Sequence, residues 1–121
     1  HGIHPVLITA RNSQSALRRG ADLGIDTQIA VGDKLASVQA LCAQHGIGLE
    51  QVAFMGDDLP DLAPLGAVGL AVAPANAHPW IAERVHWQTR ADGGRGAARE
   101  LCDVLLAAQG HIDAVLARFG A

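Results

Sequence analysis

Val52-Ala53-Phe54-Met55-Gly56-Asp57-Asp58-Leu59-Pro60-Asp61-Leu62 is the stretch on which the fold turns. Its first four residues are apolar, the pattern of a short strand buried on both faces. Gly56 breaks the run. Two adjacent carboxylates follow, with a third four residues after the first. Pro60 stands where a new helix would start, a place that tolerates proline because a first-turn N–H has no helical acceptor. The stretch predicts strand, acidic turn, helix. In open parallel sheets, ligands bind just beyond the carboxyl ends of the strands. Adjacent carboxylates repel each other, so a positive partner is expected to offset them. Oxygen donors with few nitrogen or sulfur neighbours favour magnesium over zinc. Asp57, Asp58 and Asp61 would equally serve as helix caps that meet water, and the stretch alone leaves both readings open.

Upstream, residues 5–9 (Pro-Val-Leu-Ile-Thr) predict a buried strand that ends in the polar turn Ala10-Arg11-Asn12-Ser13. Ser13 is the expected N-cap of a helix running to about residue 23. Leu17, Gly20, Ala21 and Gly24 share one face, small enough to pack closely on a sheet, and Gly24 ends the helix. A second strand is expected over residues 27–31. Gly32-Asp33-Lys34 then turns into a helix with Leu35, Val38, Leu41 and Cys42 on its apolar face, stopped by Gly46.

Downstream of the acidic turn, a short helix is expected to about residue 65 and a fourth strand over 69–72. His78-Pro79 opens another short helix reaching about residue 84, and a fifth strand fits 85–89. Residues 90–96 (Arg-Ala-Asp-Gly-Gly-Arg-Gly) read as a flexible loop. Leu101, Val104, Leu105 and Ala108 mark a strong helix over 97–108, and Ile112, Val115, Leu116 and Phe119 repeat that spacing in a last one. Strands and helices alternate with short connections, as in βα units around a parallel sheet. The expectation is a single α/β domain over residues 1–121, a Rossmann-like three-layer sandwich.

Composition narrows the function classes. The 121 residues are half hydrophobic and suffice for one core. Two tryptophans, two phenylalanines and no tyrosine argue against an aromatic platform for single-stranded nucleic acid. The net charge of −3 comes without a basic run, which argues against nucleic acid in general. Cys42 and Cys102 fall at apolar positions of helical patterns and are expected to be reduced core residues of a cytoplasmic protein. There is no zinc-type cysteine spacing, no apolar run of membrane-spanning length and no signal-peptide pattern.

Three sites follow three successive strands: Thr9, Lys34, and the group Asp57, Asp58 and Asp61. A hydroxyl and an ammonium suit a phosphate, and carboxylates suit a metal that bridges to it. In order and spacing these residues resemble the second, third and fourth motifs of the haloacid dehalogenase superfamily of phosphohydrolases. Further runs narrow the likeness. Leu7-Ile8-Thr9-Ala10-Arg11, Gly32-Asp33-Lys34, Ala77-His78-Pro79 and Gly93-Gly94-Arg95-Gly96-Ala97-Ala98-Arg99-Glu100 together resemble the 3-deoxy-D-manno-octulosonate 8-phosphate (KDO 8-phosphate) phosphatase family. That family has a small capless domain and assembles as a tetramer. The likeness covers essentially the whole chain, and the glycine-arginine run after Ala-His-Pro is its most specific part.

Three departures stand beside it. Ala10 replaces the family's usual glycine, and the segment before Lys34 is short and lacks a Gln-Gly pair. The first motif, Asp-x-Asp after an apolar strand, is absent, and no Asp-x-Asp occurs anywhere in the chain. In the family its first aspartate attacks phosphorus and its second serves as acid and base. The chain is therefore expected to be the C-terminal part of a longer protein and inactive on its own.

The resemblance implies a magnesium-dependent phosphomonoesterase acting on KDO 8-phosphate through an aspartyl-phosphate, in the cytoplasmic synthesis of lipopolysaccharide sugar. Asp57 would ligate the metal, with Asp58 and Asp61 holding waters or supporting groups. Thr9 and the N–H of Ala10 would donate to the phosphate, and Lys34 would neutralise its charge. Arg11 and Arg95 would meet the carboxylate or hydroxyls of the sugar, or else be surface or subunit-interface charges. The loop over 90–96 would close over the site, touch a neighbouring subunit, or simply connect. His78 is expected to start a helix rather than bind a ligand, and His45, His86 and His111 to do no chemistry. The alternatives are a phosphatase for another sugar acid phosphate, such as a nonulosonate 9-phosphate, and a non-catalytic assembly module of the same fold.

Overall fold

The structure, a computed structural model, describes residues 3–110. Two compact units divide them, one within residues 3–49 and the other within 50–110.

The first unit contains β1 (Val6–Ile8), α1 (Gln14–Leu23), β2 (Asp26–Gln28) and α2 (Lys34–His45). Both helix starts follow from local chemistry. The Ser13 hydroxyl accepts the N–H of Ala16 at 3.1 Å, and the Asp33 carboxylate accepts that of Ala36 at 3.0 Å. Gly24 and Gly46, both left-handed, close the two helices as expected. Gly20 is buried against β2. A Cβ there would lie 1.7 Å from Thr27 Oγ1, so the helix can lie this close to the strand only on a glycine. Along α2, Val38 and Cys42 are buried and Leu35 and Leu41 half-buried, matching the expected face.

β1 and β2 pair in parallel, with Val6 opposite Asp26 and Ile8 opposite Gln28. Two expectations need correcting here. β2 ends three residues early, because Ala30 has φ of 54° and takes the backbone out of the extended region. β1 is not buried on both faces, since Leu7 is 40% exposed. A two-stranded sheet has too little surface to cover a strand fully.

A single 3-10 turn, Leu49–Gln51, which the residue pattern had not announced, precedes β3 (Ala53–Met55). The second unit continues with α3 (Leu62–Ala67), β4 (Leu70–Ala73), α4 (Pro79–Ala82), β5 (Trp87–Gln88) and α5 (Ala97–Ala108). Its strands form a parallel sheet in the order β3-β4-β5. β4 is central, and Ala71, Val72 and Ala73 on it are wholly inaccessible. Leu65, Val68, Ile81, Ala97 and Leu101 pack around them as the core. Because all three strands run the same way, their carboxyl ends lie along one edge, and the loops that follow them gather there.

The parallel α/β expectation therefore holds, with the ladders arranged as one two-stranded and one three-stranded sheet. Cys42 is buried as expected, but Cys102 is exposed, and Val104 beside it is 43% exposed. The helical pattern placed both on the apolar side of α5, whereas only Leu101 of that stripe is fully buried, with Leu105 half-buried. The last expected helix, with Ile112, Val115, Leu116 and Phe119, and His111 lie outside the described residues. Among those residues no helix is long and apolar enough to cross a membrane.

Candidate functional site

The acidic turn is built around Gly56. Its N–H donates to the Val72 carbonyl at 3.0 Å, extending the β3-β4 ladder to the point where the chain leaves the sheet. A Cβ on Gly56 would lie 2.5 Å from Asp61 Cβ, so the glycine makes room for that side chain. Asp61 is only 4% exposed. Its Oδ2 accepts the N–H of Asp57 at 3.0 Å and of Asp58 at 3.3 Å. Asp58 accepts the N–H of Leu59 at 2.8 Å, and a reciprocal capping box, in which the Asp58 carboxylate accepts the Asp61 N–H and the Asp61 carboxylate the Asp58 N–H, sets the 3-10 turn Leu59–Asp61 that leads into α3.

The capping reading thus holds for two of the three carboxylates. Asp58 and Asp61 cap the turn. The Asp57 main chain is fixed by Asp61 on one side and, through its carbonyl, by the N–H of His78 at 2.9 Å on the other. Its carboxylate is exposed, and no hydrogen bond or ion pair among the described residues engages it. A rigid backbone carrying a free carboxylate at a strand's end is the arrangement a metal or a cationic ligand can use.

The donor chemistry can be tested against a metal. Asp57 offers both oxygens, and Asp58 is exposed beside it. Among the described residues no group of three or more His, Cys, Asp or Glu side chains is placed to hold a metal ion. Zinc takes three or four such ligands. Magnesium keeps several waters and uses one or two carboxylates, which these residues can provide.

In the first unit, Thr9 follows β1. Its N–H donates to the Gln28 carbonyl at 2.9 Å, and its hydroxyl oxygen accepts the N–H of Arg11 at 3.2 Å. That leaves the hydroxyl proton to donate elsewhere. The N–H of Ala10 has no partner among the described residues. Past the end of β2 the chain stays stitched to this turn: Ala30 donates to the Arg11 carbonyl at 2.9 Å and Val31 to that of Thr9 at 3.0 Å. Two residues further Asp33 caps α2, which Lys34 opens. Thr9, Ala10, Arg11 and Lys34 therefore gather at the carboxyl end of the two-stranded sheet. Lys34 is half-buried and Arg11 exposed.

Arg95 lies in the second unit, on the loop after β5. This loop is tethered, unlike the flexible connection its glycines suggested. Gly93 donates to Asn76 Oδ1 at 2.8 Å, and Ala75 to the Ala91 carbonyl at 3.0 Å. Gln88 Nε2 reaches the carbonyls of Pro74 and Ala75, each at 3.2 Å. Glu100 accepts from the N–H groups of Arg90 and Ala91. Asn76, Gln88 and Glu100 did not stand out in the sequence; only the run that contains Glu100 did. His78 accepts the N–H of Trp80 at 3.1 Å as the cap of α4, the role expected of it. His86 Nδ1 accepts the N–H of Ala71 at 2.8 Å, a structural task beside β4. His45 stacks against His4, with ring centroids 4.4 Å apart.

Comparison with known proteins adds a second line. Residues 30–101 match the haloacid dehalogenase-like hydrolase family. The 3-deoxy-D-manno-octulosonate 8-phosphate phosphatase of Escherichia coli K12 is 44% identical over 113 residues, which cover 92% of this chain and 60% of that protein. A crystal structure of a Xanthomonas campestris protein superposes with a TM-score of 0.97 at 68% identity, over 99% of this chain and 66% of that one. The 3-deoxy-D-manno-octulosonate 8-phosphate phosphatase of Moraxella catarrhalis, solved with a magnesium ion, a phosphate ion and KDO, gives 0.93 at 36% identity, over 98% and 68%. The chain spans about three-fifths of the length of the curated relatives it matches, 60% of each of the Escherichia coli, Yersinia pestis and Salmonella typhi proteins.

Proposed function

Because the chain belongs to the haloacid dehalogenase-like hydrolase family, we propose that it serves a magnesium-dependent phosphomonoesterase that hydrolyses KDO 8-phosphate in lipopolysaccharide sugar synthesis. We place that enzyme in the cytoplasm as a homo-oligomer, a tetramer. The single observation that carries the reading is Asp57, an unengaged carboxylate on a pinned backbone just beyond the end of β3, a parallel strand that is half-buried rather than buried on both faces as its residues suggested. The relatives named for this substrate, and one solved with magnesium, phosphate and KDO, support the substrate and the ion.

In this reading Asp57 would hold the ion, with Asp58 beside it in support. Bound there, magnesium would draw charge from the phosphoryl oxygens. Asp61 keeps the turn in place through its bonds to the Asp57 and Asp58 N–H groups. The Thr9 hydroxyl and the Ala10 N–H donate to phosphoryl oxygens, and the Lys34 ammonium offsets the charge that builds up there. Arg11 and Arg95 recognise the carboxylate of the sugar acid, for which a guanidinium's paired donors are suited.

None of these residues is the nucleophile. Among the described residues no hydrogen bond joins the Thr9 hydroxyl to a basic side chain, and the Asp57 carboxylate would be taken up by the metal. The reading therefore assigns attack on phosphorus, and the aspartyl-phosphate it forms, to an aspartate outside these residues. A strand bearing it would lie beside β1, which pairs only with β2 among the described residues.

The test is phosphate release from a panel of sugar phosphates by the longer protein and by residues 1–121 alone. The longer protein is expected to be magnesium-dependent and fastest on KDO 8-phosphate, and residues 1–121 to show negligible turnover. A clear preference for another phosphosugar overturns the substrate. Hydrolysis by residues 1–121 at the longer protein's rate overturns the assignment of the nucleophile.

A further inference from the structure

We infer that Glu100 is the positioning residue of the loop over residues 90–96, and that it sets the loop conformation in which Arg95 meets the substrate's carboxylate. The inference rests on the proposed role of Arg95 and adds the group that makes that role possible.

Glu100 lies in the first turn of α5 and is half-buried. Both its oxygens are used on backbone. Oε1 and Oε2 each accept the N–H of Arg90 at 3.1 Å, and Oε1 also accepts that of Ala91 at 3.1 Å. A charged acceptor on two successive amides fixes the chain where it leaves β5. Thr89, itself buried, donates its hydroxyl to the Ala91 carbonyl at 2.7 Å and locks the same corner. The far end is held by Arg95 and Ala97, whose N–H groups donate to the Asp92 carbonyl at 3.0 and 3.3 Å. Gly94 and Gly96, with φ of 77° and 108°, supply the reversals between these ties. The loop is preformed, and among the described residues Glu100 is the one charged side chain tying its start to the helix at its end.

That arrangement has an electrostatic consequence. Arg90, Arg95 and Arg99 are all exposed, and none has an ion-pair partner among the described residues. Glu100 is the nearest acid in sequence to Arg99, yet its oxygens go to amides. The loop therefore carries two exposed arginines, Arg90 and Arg95, in the connection that follows β5, and the connection that follows β3 in the same sheet carries Asp57. A pre-organised donor loses less freedom on binding than a mobile one. If Glu100 sets the loop, its loss should raise the concentration of carboxylated substrate required without slowing the chemical step.

The experiment uses the longer protein with two substrates: KDO 8-phosphate, and arabinose 5-phosphate, a sugar phosphate with no carboxylate. Glu100→Ala is expected to raise KM for KDO 8-phosphate about tenfold, with Glu100→Gln, which keeps one acceptor oxygen, in between. Turnover on KDO 8-phosphate and both constants for arabinose 5-phosphate should stay within about twofold. Arg95→Ala should raise KM for KDO 8-phosphate at least as much, and the Glu100→Ala, Arg95→Ala pair should be no worse than Arg95→Ala alone, because one residue acts through the other. Hydrogen exchange at the Arg90 and Ala91 amides should speed up in Glu100→Ala. An unchanged KM in Glu100→Ala beside a raised one in Arg95→Ala overturns the positioning role alone. An unchanged KM in Arg95→Ala overturns the reading of Arg95 on which it rests. Equal loss on both substrates shows Glu100 to be merely structural and overturns the inference.

Discussion

Replacing Gly56 by alanine tests the construction of the acidic turn. The added Cβ would lie 2.5 Å from Asp61 Cβ, 2.8 Å from its Cγ and 2.9 Å from its Oδ2. Real Cβ atoms do not tolerate such separations, and Asp61 is too buried to swing aside freely. Its carboxylate would have to leave the N–H groups of Asp57 and Asp58, now at 3.0 and 3.3 Å. A hydrogen bond to a charged group contributes about 1.5–3 kcal/mol, and overpacking a filled site costs about 1–3 kcal/mol. Partial relaxation and the stiffer unfolded chain of an alanine variant return about 0.4–1 kcal/mol. The expected loss is about 2–4 kcal/mol of stability, read as a lower urea midpoint at unchanged slope for the intact protein. Gly66→Ala is the control. It is exposed in α3 with nothing within 4 Å of its Cβ position, so helix propensity alone should make it neutral or stabilising by up to about 1 kcal/mol. A Gly56→Ala loss below about 1 kcal/mol would refute the reasoning, since Asp61 would then have another place to go.

Three further outcomes are expected. Lys34→Ala should lower turnover of the longer protein on the order of a hundredfold, as when a preorganised charge is removed from a phosphoryl site. Lys34→Arg should not restore it fully, because a planar fork replaces a compact ammonium; a near-normal rate in the alanine variant would end the assignment. Gly20→Ala should destabilise by about 1–3 kcal/mol, since its Cβ would overlap Thr27 Oγ1, and a neutral result by urea unfolding would mean that α1 can lift from β2. Ser13→Ala should lose about 1 kcal/mol with its bond to the Ala16 N–H, measured in the same way.

Most of this architecture could be read from the residues because its causes are local. Ser13, Asp33, Gly24 and Gly46 mark helix ends through bonds no longer than a turn. Gly20 on the small face of α1 signalled a close approach that the structure bears out. What escaped depends on backbone states or on distant partners. Nothing in Ile29-Ala30-Val31 announces the left-handed Ala30 that ends β2, because alanine rarely adopts it. The tethering of the 90–96 loop also escaped. Its glycines suggest freedom, while its ties run to Asn76, seventeen residues away from Gly93, and to Glu100, ten from Arg90. The acidic turn was half legible. Three carboxylates at that spacing fit capping and metal binding alike, and only the burial of Asp61 beside the exposed Asp57 separates the two tasks.

The central claim is that Asp57 is kept free to hold a magnesium ion for phosphate ester hydrolysis. A magnesium titration of phosphate release from KDO 8-phosphate, by the longer protein and its Asp57→Asn variant, tests it most directly. The account predicts that the variant keeps its urea midpoint, because no hydrogen bond or ion pair among the described residues uses that carboxylate, and loses nearly all turnover at every magnesium concentration that saturates the unaltered protein. A folded Asp57→Asn variant with ordinary turnover at ordinary magnesium would contradict it.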